Sequence, residues 1–223
     1  YYVNLFCLSS GALPVDPIDS IERSASVFLG GAIAFLVCLC LWPERLQDYI
    51  RYAIIANLQR LSSFNRALTD RMQEEKAILI RRNRLIRGLA RAREVIPESE
   101  PQTRHIIQKI EYLYEIILSL HQLKRYVDQQ HVLRLINKEL SVLARRITWL
   151  LRGMARSIRH TRPLPEADKF IRSLQTFEKL YQRHLPRFNE EQFLAFTIYI
   201  DNIHKLEKNT RDLLDLLKRK FEL

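Results

Sequence analysis

The chain has 223 residues, 47% of them apolar and 27% charged, which suits one or two folded domains. Only 5 Gly and 8 Pro are present, so long helices are expected and a turn-rich β fold is excluded. Three cysteines, Cys7, Cys38 and Cys40, are an odd count with two inside an apolar run, which argues against a disulfide framework. The Cys38-x-Cys40 pair reads as small apolar filler rather than as metal ligands.

The chain opens on Tyr1. No basic stretch precedes an apolar core and no small-residue cleavage pattern follows one, so residues 1–42 do not read as a signal peptide. The sequence reads as a piece of something longer. Residues 1–13, YYVNLFCLSSGAL, are mostly apolar and uncharged but too short to span a membrane. They are expected to be the tail of a preceding membrane helix, with PVDPIDSIE as a short external loop.

From Ser24 to Pro43 no residue is charged, a run of 20 positions. At about 1.5 Å per residue this is roughly 30 Å of helix, one hydrocarbon core. Val27, Phe28, Leu29, Ile33, Phe35, Leu36, Val37, Leu39 and Leu41 favour insertion by roughly 3 to 5 kcal/mol together. The alternative, a buried helix of a globular core, would keep a polar stripe, and none is seen. A transmembrane helix is therefore expected at about 22–42. Gly30, Gly31 and Ala34, with Ala32 between them, would let a second membrane helix approach closely. Arg23 and Trp42 mark the two interfaces, and Pro43, which fits best at a helix start, is expected to end or bend one helix and open another.

Residues 1–43 hold one of the 36 basic and three of the 25 acidic residues, leaving the remainder with 35 against 22, a net of +13. Arg45, Arg51, Arg60 and Arg66 follow the apolar run closely. By the positive-inside rule, residues 44–223 are expected in the cytoplasm. The division is thus a membrane portion, 1–43, and a cytoplasmic α-helical domain, 44–223.

Arg23, Gly30 seven positions on, and Trp42-Pro43 twelve positions beyond that, separated by an apolar run and followed by a long amphipathic helix, resemble the last helix of a membrane half in the fusaric acid resistance protein family. That group includes the aromatic acid exporters. The motif covers about 21 residues, and the helical tail agrees in type. The family often has Thr shortly after the Arg, where this chain has Ser24 and Ser26. The resemblance implies a bundle of about six membrane helices per half, a cytoplasmic helical domain, and export of aromatic or other organic acids from a bacterial inner membrane by secondary transport. The partners expected are the lipid bilayer, other transmembrane helices of the same protein or of a homo-oligomer, a periplasmic adaptor protein and an organic anion as substrate. A membrane-anchored helical scaffold without transport activity is the alternative.

Beyond Pro43, apolar residues recur every three or four positions from Leu46 through Ile50, Ile54, Leu58, Leu61, Phe64 and Leu68 to Met72, the pattern of an amphipathic helix. A turn is expected within 62–75, with SSFN (62–65) or Thr69-Asp70 as caps. PESEP at 97–101 reads as a loop and Ser99-x-x-Gln102 as a capping box. One helix carries Ile106, Ile110, Leu113, Ile117, Leu120 and Val127. The next runs from Val132 to Ile158 and ends at TRPLP (161–165). A fifth spans about 166–184. The last, with Asn189 as N-cap and Gln192 closing its box, uses Phe193, Phe196, Ile200, Ile203, Leu206, Leu213 and Leu217. No alternating strand pattern of useful length occurs, so the fold class is all-α, a transmembrane helix followed by a bundle of long amphipathic helices.

The densest basic stretch, RRNRLIRGLARAR (81–93), puts Arg81, Arg84, Arg87 and Arg91 within about 120° of a helix and Leu85, Ile86 and Leu89 on the other side. This arc reads either as a solvated face or as a surface for anionic lipid or an acidic ligand. Nucleic acid is not expected, because no recognition motif accompanies the charge. Asp201 and His204 have the spacing of a ligand pair but read as ordinary bundle residues. No P-loop, G-x-G-x-x-G, H-E-x-x-H or nucleophile elbow occurs. Neither enzymatic activity nor a cofactor is expected.

Overall fold

A computed structural model describes residues 17–70, 74–128, 137–184 and 190–222, with side chains outside the description at 17–22, 38–45, 123–128, 137–140, 181, 184, 191, 192 and 195. Among these residues the fold is all-α, with six helices: α1 (Pro17–Thr69), α2 (Glu75–Val95), α3 (Pro101–Asp128), α4 (Asn137–His160), α5 (Asp168–His184) and α6 (Glu190–Phe221). The chain divides into two units, Tyr1–Asp48 and Tyr49–Leu223.

In the first unit, α1 begins at Pro17, where the missing proline N–H costs no helical hydrogen bond. Residues 17–22, expected as part of a loop, are therefore helical. So is Pro43, expected to end or bend one helix and open another; the helix does not end there. A proline removes one bond from the ladder, and more than twenty helical residues on either side supply the rest. Residues 1–13 lie outside the described residues, as do the side chains of Trp42 and Pro43. Among the described residues no helix is long and apolar enough to cross a membrane. The described side chains of the uncharged run end at Val37, so its last six positions lie outside that statement.

The second unit is a helical bundle in which cross-helix bonds fix two pairs of helices as antiparallel. Asn65 of α1 donates through Nδ2 to Ala144 O (3.0 Å) and Thr148 Oγ1 (2.9 Å), and Ser62 Oγ donates to Thr148 O (3.3 Å). Arg51, eleven residues earlier, reaches Ile158 O (2.9 Å from Nε), so α1 and α4 are antiparallel. Lys109 Nζ meets Asp212 at 2.7 Å while Lys220 Nζ meets Glu100 at 2.6 Å, which sets α3 against α6 in the same sense. Leu58, Leu61 and Phe64 of α1, Ile106 and Ile110 of α3, Met154 and Ile158 of α4, and Leu206, Leu213 and Leu217 of α6 are fully buried. These are the periodic positions of the sequence, because each helix has one apolar stripe to hide.

Local details differ from the sequence reading. α1 ends at Thr69 and α2 begins at Glu75, but SSFN stays helical: Ser62 and Asn65 bond across to α4 instead of capping. Pro101 is the first residue of α3, so Glu100, not Ser99, occupies the cap position. Glu100 accepts hydrogen bonds from Thr103 Oγ1 (2.9 Å) and Lys220 Nζ. Ile86, on the side of the helix opposite the arginine arc, and Phe193, on the apolar repeat of the last helix, remain 41% and 45% exposed. Ile86 falls at the edge of the α2 apolar stripe, and Phe193 in the first turn of α6. Met72, Val127, Val132, Asn189 and Gln192 lie outside what is described.

Candidate functional site

The four arginines singled out on residues 81–93 all lie on α2, but the fold separates them. Arg81 and Arg84 line a groove of about 570 Å³ in the second unit; Arg87 and Arg91 do not line it and are exposed elsewhere on the helix. Arg60 and Arg159, far away in sequence, complete the groove from α1 and α4. Tyr52, Ile55, Ala56, Gln59 and Ser63, one face of α1, form its floor. Four arginines thus line one concavity with no Asp or Glu in its lining.

Local bonds fix part of this set. Arg60 Nη1 donates to Asn57 Oδ1 (3.2 Å), and buried Asn57 in turn donates to Gly88 O (3.4 Å). Gly88 leaves room for this contact: a Cβ at that position would lie 2.5 Å from Asn57 Oδ1 and closer still to Arg60 Nη1, so both side-chain ends would have to shift. Arg81 Nη1 reaches Ser63 O at 3.5 Å, a weak tether. Neighbouring arginines are committed elsewhere. Arg51 donates to Ile158 O and Thr161 Oγ1 (2.8 Å), satisfying the C-terminal end of α4, where Thr161 adopts the left-handed conformation of a helix terminus (φ 50°). Arg152 Nε donates to Ser62 Oγ at 3.1 Å. Arg93, on the same helix as Arg81 and Arg84, is paired with Glu111. Burial pushes the Glu111 carboxyl above its usual range while Arg93 pulls it down.

Gly88→Val is expected to cost about 1–3 kcal/mol, since the branched side chain must displace both Asn57 and Arg60. Urea unfolding followed by fluorescence reads this as a lower midpoint. An unchanged midpoint would mean the contact between α1 and α2 is not made.

The other sequence candidates are placed as follows. Arg23, Gly30, Gly31 and Ala34 are exposed, and a Cβ built on either glycine meets no atom within 4 Å. Replacing them with Leu therefore clashes with nothing among the described residues. Asp201 pairs with Lys205 (2.6 Å), and His204 Nε2 lies 2.9 Å from Glu178 Oε1, so the two do not converge. No group of three or more His, Cys, Asp or Glu residues placed to hold a metal ion occurs among the described residues.

The fold and the groove define an all-α protein with a basic concavity in its helical bundle. Compared with protein-family models, curated proteins and solved structures, the chain matches none.

Proposed function

We propose that residues 22–42 span a lipid bilayer and that the unit Tyr49–Leu223 is the cytoplasmic helical domain of a bacterial inner-membrane permease that exports organic acids, of the fusaric-acid-resistance type. One observation carries the membrane part of this reading. Val27, Phe28, Leu29, Ile33, Phe35, Leu36 and Val37 each remain between 49% and 83% exposed, and at 100° per residue they are distributed around the whole helix. A helix lying on a globular core has one apolar stripe; one that is apolar all round belongs inside a core or a membrane. An exposed apolar surface of this kind requires a cover, and lipid with neighbouring membrane helices provides it. The organic-acid substrate rests on the resemblance at Arg23, Gly30 and Trp42-Pro43, and the cytoplasmic side on the excess of basic residues after Pro43.

A reporter that is active only in the periplasm, fused after Leu223, is expected to be silent, and a cytoplasm-active one bright. Strong periplasmic activity would overturn the orientation. Transport itself is tested by expressing the encoding gene in cells loaded with fusaric acid. Faster efflux supports a permease, whereas membrane retention without efflux favours an anchored scaffold.

A further inference from the structure

We propose that the groove formed by Arg60, Arg81, Arg84 and Arg159 is a binding site for a phosphate monoester. The inference is independent of the membrane helix, since every residue of the groove lies in the unit Tyr49–Leu223.

The charge arrangement comes first. Three helices bring four guanidiniums to one concavity, and none of the four is ion-paired among the described residues. Like charges that line one groove repel one another, and an anion between them relieves that repulsion. The neighbouring Arg51 and Arg152 hydrogen-bond to protein oxygens and do not line the groove. Arg60 and Arg81 are held by Asn57 and by Ser63 O, while Arg84 and Arg159 are exposed and can turn towards a ligand.

The number of donors selects the anion. A single carboxylate offers two oxygens, which one arginine fork satisfies. A phosphate monoester offers three oxygens and up to two negative charges, enough for several forks converging from different sides. The groove, about 570 Å³, is within the usual size range for small-molecule sites and leaves room for the esterified group. Tyr52, Ile55 and Ala56 give that group an aromatic and aliphatic wall. Gln59 and Ser63 add polar atoms for its hydroxyls. The ester is carried either by a soluble phosphorylated metabolite or by a lipid headgroup of the phosphatidate kind.

The test uses the whole chain in detergent micelles and calorimetric titration with phenyl phosphate. Binding is expected, and it should weaken as salt rises. The Arg84→Ala/Arg159→Ala double variant is expected to bind at least about tenfold more weakly, since one hydrogen bond to a charged group is worth that factor or more. Arg87→Ala/Arg91→Ala removes the same charge outside the groove and should leave affinity within about twofold. Both pairs are exposed, and circular dichroism verifies that the variants stay folded. Arg84→Lys keeps the charge without the fork and should fall between wild type and Arg84→Ala. Equal losses in the two double variants would overturn the proposal by showing a diffuse charge effect, as would absence of phenyl phosphate binding. Titration with glycerol 3-phosphate and with dihexanoyl phosphatidate separates the two sources: preference for the first assigns a soluble metabolite, preference for the second a lipid headgroup.

Discussion

Phe64→Ala should destabilise the helical unit by about 3–5 kcal/mol, the usual cost of removing a fully buried phenyl ring. Phe64 has no exposed surface, and its ring stands 5.5 Å from that of Tyr114 in a tilted pair that joins α1 to α3. Tyr114 Oη in turn accepts a hydrogen bond from Arg82 Nε at 2.9 Å, so the cavity would also loosen α2 against α3. For a unit of this size the loss corresponds to a fall in melting temperature of about 6–20 °C. Leu79→Ala, at a half-exposed position on α2, should change stability by no more than about 0.5–1 kcal/mol. Thermal unfolding followed by far-ultraviolet circular dichroism compares the two. Similar small losses in both would show that α1 does not contribute its Phe64 face to the core.

Ile33→Arg should remove the chain from the membrane. Ile33 is near the middle of the uncharged run, where exchanging an isoleucine for an arginine shifts the insertion free energy by about 3–4 kcal/mol. That is roughly 100- to 1000-fold in the partition. The wild-type chain is expected in the pellet after alkaline carbonate extraction and a clearly larger share of the variant in the supernatant. Ser26→Arg, three residues from Arg23 at the proposed interface, should remain in the pellet, because a charge near a helix end reaches the headgroups. If wild type and Ile33→Arg are extracted alike, residues 22–42 are not embedded in lipid, and the permease reading fails with them. The phosphate site would be untouched by that result, because its residues belong to the other unit.

Much of the helical framework is legible in the sequence. Ile50, Ile54, Leu58, Leu61 and Phe64 recur at helical spacing and are all fully buried. PESE (97–100) and TRPLP (161–165) fall between helices, and Pro101 opens α3, where its missing N–H costs no bond. Local chemistry misled at Pro43 and at SSFN. A proline is a strong stop signal only when the helix on either side is short or weak, and here both flanks are long. Ser62 and Asn65 have side chains that can cap a helix or bond to a second one, and the sequence holds no signal that separates the two uses.

The groove was half visible. Arg81 and Arg84 share a helix face with Arg87 and Arg91, and the 3.6-residue repeat places all four together. It gives no ground for dividing them. Arg60 is one basic residue on a long helix, and Arg159 is 75 positions beyond Arg84. Their convergence follows from the antiparallel pairing of α1 with α4, fixed by Asn65 to Ala144 and Arg51 to Ile158, and from the close approach of α1 to α2 at Gly88. Gly88 was the one local hint, a glycine in mid-helix where alanine would be preferred by about 1 kcal/mol unless a neighbour needed the space.

The sequence by itself determined the helical class, the apolar run at 24–43 and the basic excess after it, because these depend on composition and on a repeat that each helix carries alone. The tertiary structure decided which helices are neighbours, which of the many arginines are tied to backbone oxygens, and which four open onto one concavity. A helix repeat specifies the direction in which a side chain leaves its own axis, but not what stands opposite. That is set by the packing of Leu58, Phe64, Ile106 and Met154 into a shared core, where apolar burial is non-directional and only the complete set of contacts selects one arrangement.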